Sequence, residues 1–204
     1  MRLELDFIIY GSLLIAALIP LYIYRKKIFT FKYSDNGFSF FIKDLKLHMA
    51  KHHPKIKFDY SIIEKTQNEQ DLKVRETLIV ENIIEQFFNY DYKKKTQGSV
   101  SNDKLWINYI EKSNSNPKYP NDWSQRKDAA WRRDEKSCNR CGNKISLEAT
   151  YTSFVNEIKD GGGYNIENII ILCSDCNKII NSTNPKNTIF SLSLNDSLMM
   201  YVKS

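Results

Sequence analysis

Histidine is scarce in this chain: there are three among 204 residues, at positions 48, 52 and 53. The stretch beyond His53 therefore has no imidazole of its own, which excludes a mixed Cys/His zinc site and a histidine base drawn from that stretch. Cysteine is nearly as rare, and its four copies stand as two short pairs, Cys138-Asn-Arg-Cys141 and Cys173-Ser-Asp-Cys176. Two CxxC pairs held apart by one structured insert match a four-thiolate tetrahedral zinc site; two disulfides or four unrelated buried thiols are the alternative uses. An excess of acid is also missing. The net charge of +6 favours an anionic partner, either nucleic acid or the inner face of a membrane. With 42% hydrophobic and 26% charged residues, the composition is that of a folded protein and not of a long disordered chain.

One run has no charge at all. Residues 7–24, FIIYGSLLIAALIPLYIY, reach roughly 27 Å at 1.5 Å per residue, close to the thickness of a bilayer core. Tyr10, Tyr22 and Tyr24 lie near its ends, and Arg25-Lys26-Lys27 follow at once, so the positive-inside bias predicts a single-pass inner-membrane protein with its C-terminal part in the cytoplasm. The run lacks a small-x-small cleavage site and ends in bulky residues, which argues against a removed signal peptide. A reducing cytoplasm also leaves the cysteines available for zinc.

Beyond the run, residues 29–42 alternate aromatics around Ser34-Asp35-Asn36-Gly37, which predicts a β-hairpin. His48 and His52 share a helix face at i, i+4; with Pro54 ending that helix, the trio reads as solvated basic surface. From about 70 to 92, Leu72, Leu78, Ile79, Ile83, Ile84, Phe87 and Phe88 form the apolar stripe of a core helix, closed by Lys93-Lys94-Lys95. A Ser/Asn/Lys-rich linker follows. A helix from about Asp122 to Arg133 carries Arg126, Lys127, Arg132 and Arg133, four candidates for phosphate contact that Asp122, Asp128 and Asp134 partly offset.

The motifs Tyr119-Pro-x-Asp122-Trp123, Trp131-Arg-Arg133-Asp134, Cys138-x-x-Cys141-Gly142, Gly161-Gly162 and Glu167-Asn168-Ile169-x-x-Leu172-Cys173-x-x-Cys176-Asn177 occur in this order. Together, over about residues 119–181, they resemble the HNH nuclease family. The resemblance implies a ββα-metal fold stapled by a structural Zn²⁺ on Cys138, Cys141, Cys173 and Cys176. It also implies cleavage of phosphodiesters by a histidine base on the first strand, with a divalent ion such as Mg²⁺ if the module is active. The base position falls on Phe154 and the neighbouring ligand position on Ser153, side chains that do neither job. Asn168 and Asn177 keep the remaining candidate catalytic positions, Asn168 as a brace of the loop or orienter of the base. Asn181 lies one turn after Asn177, and Glu148, Glu157 and Asp160 read as ordinary surface carboxylates.

The expected fold class is α+β: an N-terminal transmembrane helix, a small α/β linker region and a C-terminal zinc-stapled ββα-metal domain. In domains, this is an anchor with basic flank at 1–27, a cytoplasmic hairpin plus amphipathic helix at 28–95, a linker at 96–117 and an HNH-like zinc domain at 118–204. The expected function is a membrane-anchored, catalytically degenerate HNH-like zinc module that binds nucleic acid, DNA in the first instance. The competing expectation is an HNH-type metal-dependent DNA endonuclease with an atypical active site.

Overall fold

The computed structural model describes residues 10, 11, 13, 16, 18–20, 35–96 and 119–202. The chain divides into two compact units, Met1–Ser39 and Phe40–Ser204. The expected transmembrane helix, and with it the single-pass inner-membrane placement, is not supported. No helix among the described residues is long and apolar enough to cross a membrane. The charge-free run is at the short end of the lengths that span a bilayer, and it contains Gly11 and Pro20, the two residue types that most weaken a helix.

The hairpin expected at 29–42 is also overturned where it is described. Asp35–His52 is a single α-helix, α1. Phe41, Leu45 and Met49, at i, i+4 and i+8, are all buried. Burying this helical stripe outweighs the alternating reading of the aromatics and the Asn-Gly turn signal. The short helix α2, Ile62–Lys65, follows. Next comes α3, Leu72–Asn89, opened by the Asp71 carboxylate accepting from the Lys73 and Val74 amides. Its buried face holds Ile79, Ile83, Ile84 and Phe87 of the expected stripe and adds Val80, while Leu72 and Phe88 are half-buried and Leu78 stays exposed. The region expected to mix hairpin and helix thus has no strand among its described residues. The expected linker lies outside the described residues except for Thr96.

The C-terminal module begins with α4, Trp123–Arg133. Two strands follow, β1 at Tyr151–Phe154 and β2 at Ile169–Leu172, paired antiparallel with Tyr151 opposite Leu172 and Phe154 opposite Ile169. Three short helices complete the chain: α5 at Ser174–Ile180, α6 at Pro185–Phe190 and α7 at Ser193–Met199. All four residues of β2 are buried, consistent with a strand covered on both faces. Ala130 of α4 packs with Phe154, Ile158, Ile169 and Ile171, surrounded by Trp123, Trp131, Ile145, Tyr164 and Ile166. On the other side α6 and α7 lie against α3. Asp175 of α5 fixes α7 by accepting from the Ser193 and Leu194 amides, both at 2.9 Å. From Phe40 onward, the helical residues before 96 and the cysteine module therefore share one packed unit.

Candidate metal centre and ββα site

Each CxxC pair is shaped by its own backbone. In the first, the Cys138 amide donates to the Asn143 carbonyl (2.8 Å) and the Gly142 amide to the Cys138 carbonyl (2.9 Å), closing a tight knuckle. Gly142 completes it at φ +83°, and a β-carbon there would lie 2.9 Å from Pro54 Cγ, so glycine is required twice over. The second pair is formed by helix onset. Cys173 precedes α5, Cys176 sits in its first turn, and the Asn177 amide donates to the Cys173 carbonyl at 2.9 Å. The Asn139 amide, inside the first knuckle, donates to the Ile171 carbonyl of β2 at 2.7 Å, two residues before Cys173. That bond brings the pairs face to face.

The result is a quartet. The sulfurs of Cys138, Cys141, Cys173 and Cys176 all lie within 4.8 Å of one another, and all four residues are buried. None is in a disulfide, and the Cys141 and Cys173 sulfurs are 3.8 Å apart. A tetrahedron with Zn–S bonds of about 2.3 Å has S···S edges of about 3.8 Å, so these residues fit zinc and would hold it as a closed structural site. As a thiol cluster the quartet is electrostatically frustrated. Hydrogen bonds from Cys141, Cys173 and Cys176 hold the Cys138 thiol far below its ordinary pKa, while hydrogen bonding to Cys138 pushes Cys141 and Cys176 up. A divalent cation held by these four residues would relieve the conflict, since all four sulfurs could then lose their protons.

Arg140 supports the centre from inside the knuckle. It is 2% exposed; Nη1 points at Cys176 Sγ (3.6 Å) and Nη2 donates to the carbonyls of Phe87 (2.6 Å), Phe88 (3.2 Å) and Tyr90 (3.3 Å). One guanidinium thus offsets thiolate charge and satisfies carbonyls at the C-terminal end of α3. Lys55 adds a second clamp, its amide donating to the Cys141 carbonyl (3.2 Å) and its Nζ to the Asn139 carbonyl (3.1 Å). Sequence reasoning missed both residues. Nothing in the spacer of a CxxC distinguishes a buried arginine from a solvated one.

Between β1 and β2 the chain folds over Asn168. Its side chain is fully buried and makes three bonds: Oδ1 accepts from the Asn156 amide (2.8 Å), and Nδ2 donates to the carbonyls of Asn156 (2.9 Å) and Gly163 (2.8 Å). Gly162 makes that approach possible, because a β-carbon on it would lie 2.0 Å from the Asn156 oxygen. Gly161 turns the chain at φ +91°. Two strands, a helix, a braced glycine loop and a cysteine quartet now stand together.

Residues 138–183 match the family model of the HNH endonucleases. No curated protein and no solved structure matches the chain. The matched HNH segment starts at Cys138, so the Tyr119 and Trp131 motifs lie outside it.

Within the HNH segment, Phe154 is 9% exposed and packed in the core, its ring 6.0 Å from that of Trp123 and 5.8 Å from that of Tyr164. Ser153, half-buried, lies opposite Ile170. Asn177 is half-buried on α5, which contacts β1; its Oδ1 accepts from Asn181 Nδ2 at 3.0 Å. The carboxylates gather no second site. Glu157 pairs with Lys94 at 2.5 Å, Glu148 and Asp160 are exposed, and among the described residues the cysteine quartet is the one cluster of metal-ligating groups.

The four cations on α4 differ in availability. Arg133 is 12% exposed and committed: it pairs with Asp134 and donates to the carbonyls of Ile166 (2.5 Å) and Ile169 (2.7 Å), tying α4 to β2. Arg126 binds both oxygens of Asp122 at 2.9 Å and the Tyr164 carbonyl at 2.9 Å. Arg132 is exposed but paired with Asp128, and Lys127 is half-buried. The histidines correct another expectation. His53 is buried against Phe87, its ring 4.8 Å away, and burial pushes its pKa down to about 4; His48 Nδ1 meets the Tyr201 hydroxyl at 3.1 Å. His53 is thus a packing group of the helical half, and His48 and His52 are half-buried with their rings 4.5 Å apart, so the trio is not a fully solvated basic surface.

Proposed function

We propose that this protein is an HNH-like, zinc-stapled module that binds nucleic acid and does not hydrolyse it. One feature carries the reading: the position that the motif register assigns to the family's base is Phe154, a side chain without a lone pair, whose ring is embedded among Trp123, Tyr164 and Ala130. Ser153 beside it offers a neutral hydroxyl, a weak ligand for a hard cation without a carboxylate partner. Asn168 spends both side-chain donors and one of its two acceptor lone pairs on the loop, which makes it a brace. The Asn177 Oδ1, the ligand atom an amide would offer, already accepts from Asn181 Nδ2 at the C-terminal end of α5. Nucleic acid is the partner that the family and the basic net charge favour, with the zinc quartet supplying rigidity and no chemistry.

The competing reading, a metal-dependent endonuclease with an atypical centre, rests on the family match and the intact glycine loop. A plasmid assay decides between them. Zinc-loaded full-length protein is incubated with supercoiled DNA and Mg²⁺, Mn²⁺ or Ni²⁺. No conversion to nicked circles beyond a Cys173→Ser control is expected, and metal-dependent nicking above that control would defeat the non-hydrolytic reading.

A further inference from the structure

The cations expected to meet phosphate lie on α4, and its three arginines are already neutralised: Arg126 by Asp122, Arg132 by Asp128 and Arg133 by Asp134. A cation held by a carboxylate releases few counterions when nucleic acid arrives and adds little affinity. Lys127, the fourth cation of α4, stands without an ion pair among the described residues, and a denser group of such cations lies elsewhere. A cavity of about 530 Å³ is walled by the first zinc knuckle and the extended segment after α3, and Lys55, Lys93 and Lys95 all line it. None of these three has an ion pair among the described residues, although two of the three Lys55 ammonium hydrogens go to the Asn139 (3.1 Å) and Cys138 (3.5 Å) carbonyls; Lys94, between the other two in sequence, turns away to Glu157. Asp91 is the one carboxylate among the lining residues. Three ammonium groups around one small basin repel each other, and an anion there removes that cost.

The remaining walls narrow the chemistry. Tyr90 and Tyr92 bring aromatic surface, and Asn139 brings an amide. The Tyr92 hydroxyl donates to Asn139 Oδ1, which orients the amide and leaves Nδ2 without an acceptor among the described residues. Arg140, also in the wall, sets its guanidinium against the Cys176 sulfur, so the charge of the thiolate centre below is partly offset. The volume lies within the range of about 300–1,000 Å³ typical of small-ligand sites. Unpaired cations, stacking surface and a free amide donor in one basin are the elements that hold a phosphate, a base face and a base or sugar edge.

We propose that this cavity is a nucleotide-phosphate site, with Lys55, Lys93 and Lys95 on the phosphate and Tyr90 and Tyr92 beside the base. It stands apart from the ββα face and requires no hydrolysis, so it goes beyond the function proposed above. The same chemistry has two sources, a free nucleoside polyphosphate or an unpaired nucleotide within a nucleic-acid strand.

Zinc-loaded full-length protein is titrated at low salt with ATP by calorimetry and with a labelled single-stranded oligothymidylate by anisotropy. Three variants accompany it: Lys93→Glu/Lys95→Glu, the milder Lys93→Gln/Lys95→Gln, and Lys127→Ala/Arg132→Ala on α4. Equal zinc content and melting temperature establish that the lysine variants are folded; Lys93 and Lys95 are exposed, so both should pass. At least one ligand is expected to bind, with affinity falling about tenfold or more in the Glu pair, less in the Gln pair, and under about threefold in the α4 pair. For the oligonucleotide, the log–log salt slope should drop by about 1.4 in the Gln pair, two phosphates at about 0.7 each. Binding of ATP assigns the free nucleotide, and binding of the oligonucleotide without ATP assigns the strand. The proposal is overturned if neither ligand binds, if the Glu pair binds within about threefold of wild type, or if the α4 pair loses as much as the lysine pair.

Discussion

Replacing Asn168 by alanine separates bracing from chemistry. The side chain is fully buried and makes three hydrogen bonds within the β1–β2 loop. Alanine strands the Asn156 amide and the carbonyls of Asn156 and Gly163, each costing about 1–3 kcal/mol if water cannot reach it. Allowing for relaxation and one entering water, the loss should be about 3–5 kcal/mol, a large share of the ~5–15 kcal/mol that holds a domain together. Urea denaturation of zinc-loaded full-length protein, followed by tryptophan fluorescence, should show a midpoint lower by about 2 M at a slope near 2 kcal/mol per M. Asn168→Asp should do no better, since it keeps the acceptor for Asn156 but sets a carboxylate against two carbonyls. A loss below about 1 kcal/mol would refute the brace and return Asn168 to the list of groups free for catalysis.

Gly162→Ala should be at least as damaging, because its β-carbon would lie 2.0 Å from a backbone oxygen that cannot swing away; a melting temperature within about 2 °C of wild type would contradict the packing described. Arg140→Met keeps the bulk but loses the bonds to Cys176 and to the α3 carbonyls. Zinc affinity should fall about 10–100-fold in a competitive chelator titration; unchanged affinity would reduce Arg140 to a helix cap. Cys173→Ser should release the zinc and unfold the HNH segment, seen as loss of bound metal and of near-ultraviolet dichroism, and retention of one tight zinc would discredit the quartet. His53 has a folded pKa of about 4, below its unfolded 6.5, so the fold favours the neutral ring. Its contribution is complete above the unfolded value and lost as pH falls toward the folded one, about 2 kcal/mol between pH 7.5 and 5. His53→Gln should flatten that part of the stability profile, and an equally steep profile would rule the histidine out as its source.

What could be read without coordinates was local or carried by covalent spacing. Two CxxC pairs announce a metal knot because tetrahedral zinc accepts few other arrangements of thiolates, and the quartet closes as that spacing requires. The α3 stripe was legible because a buried helix face repeats every 3.6 residues; the glycines read as a turn, and the place of Asn168 came only from the resemblance to the HNH family. Tertiary structure decided where two local signals conflicted or where one signal had two uses. The aromatics of Asp35–His52 fit either period, and burial of Phe41, Leu45 and Met49 selected the helix. A charge-free run has the composition of a membrane span, yet no helix among the described residues is long and apolar enough to be one. A cation in a sequence is only a charge. Its role depends on what faces it, which is why Arg133 is a strut between α4 and β2, Arg140 a partner of the cysteine quartet and Lys93 an unpaired charge at a cavity.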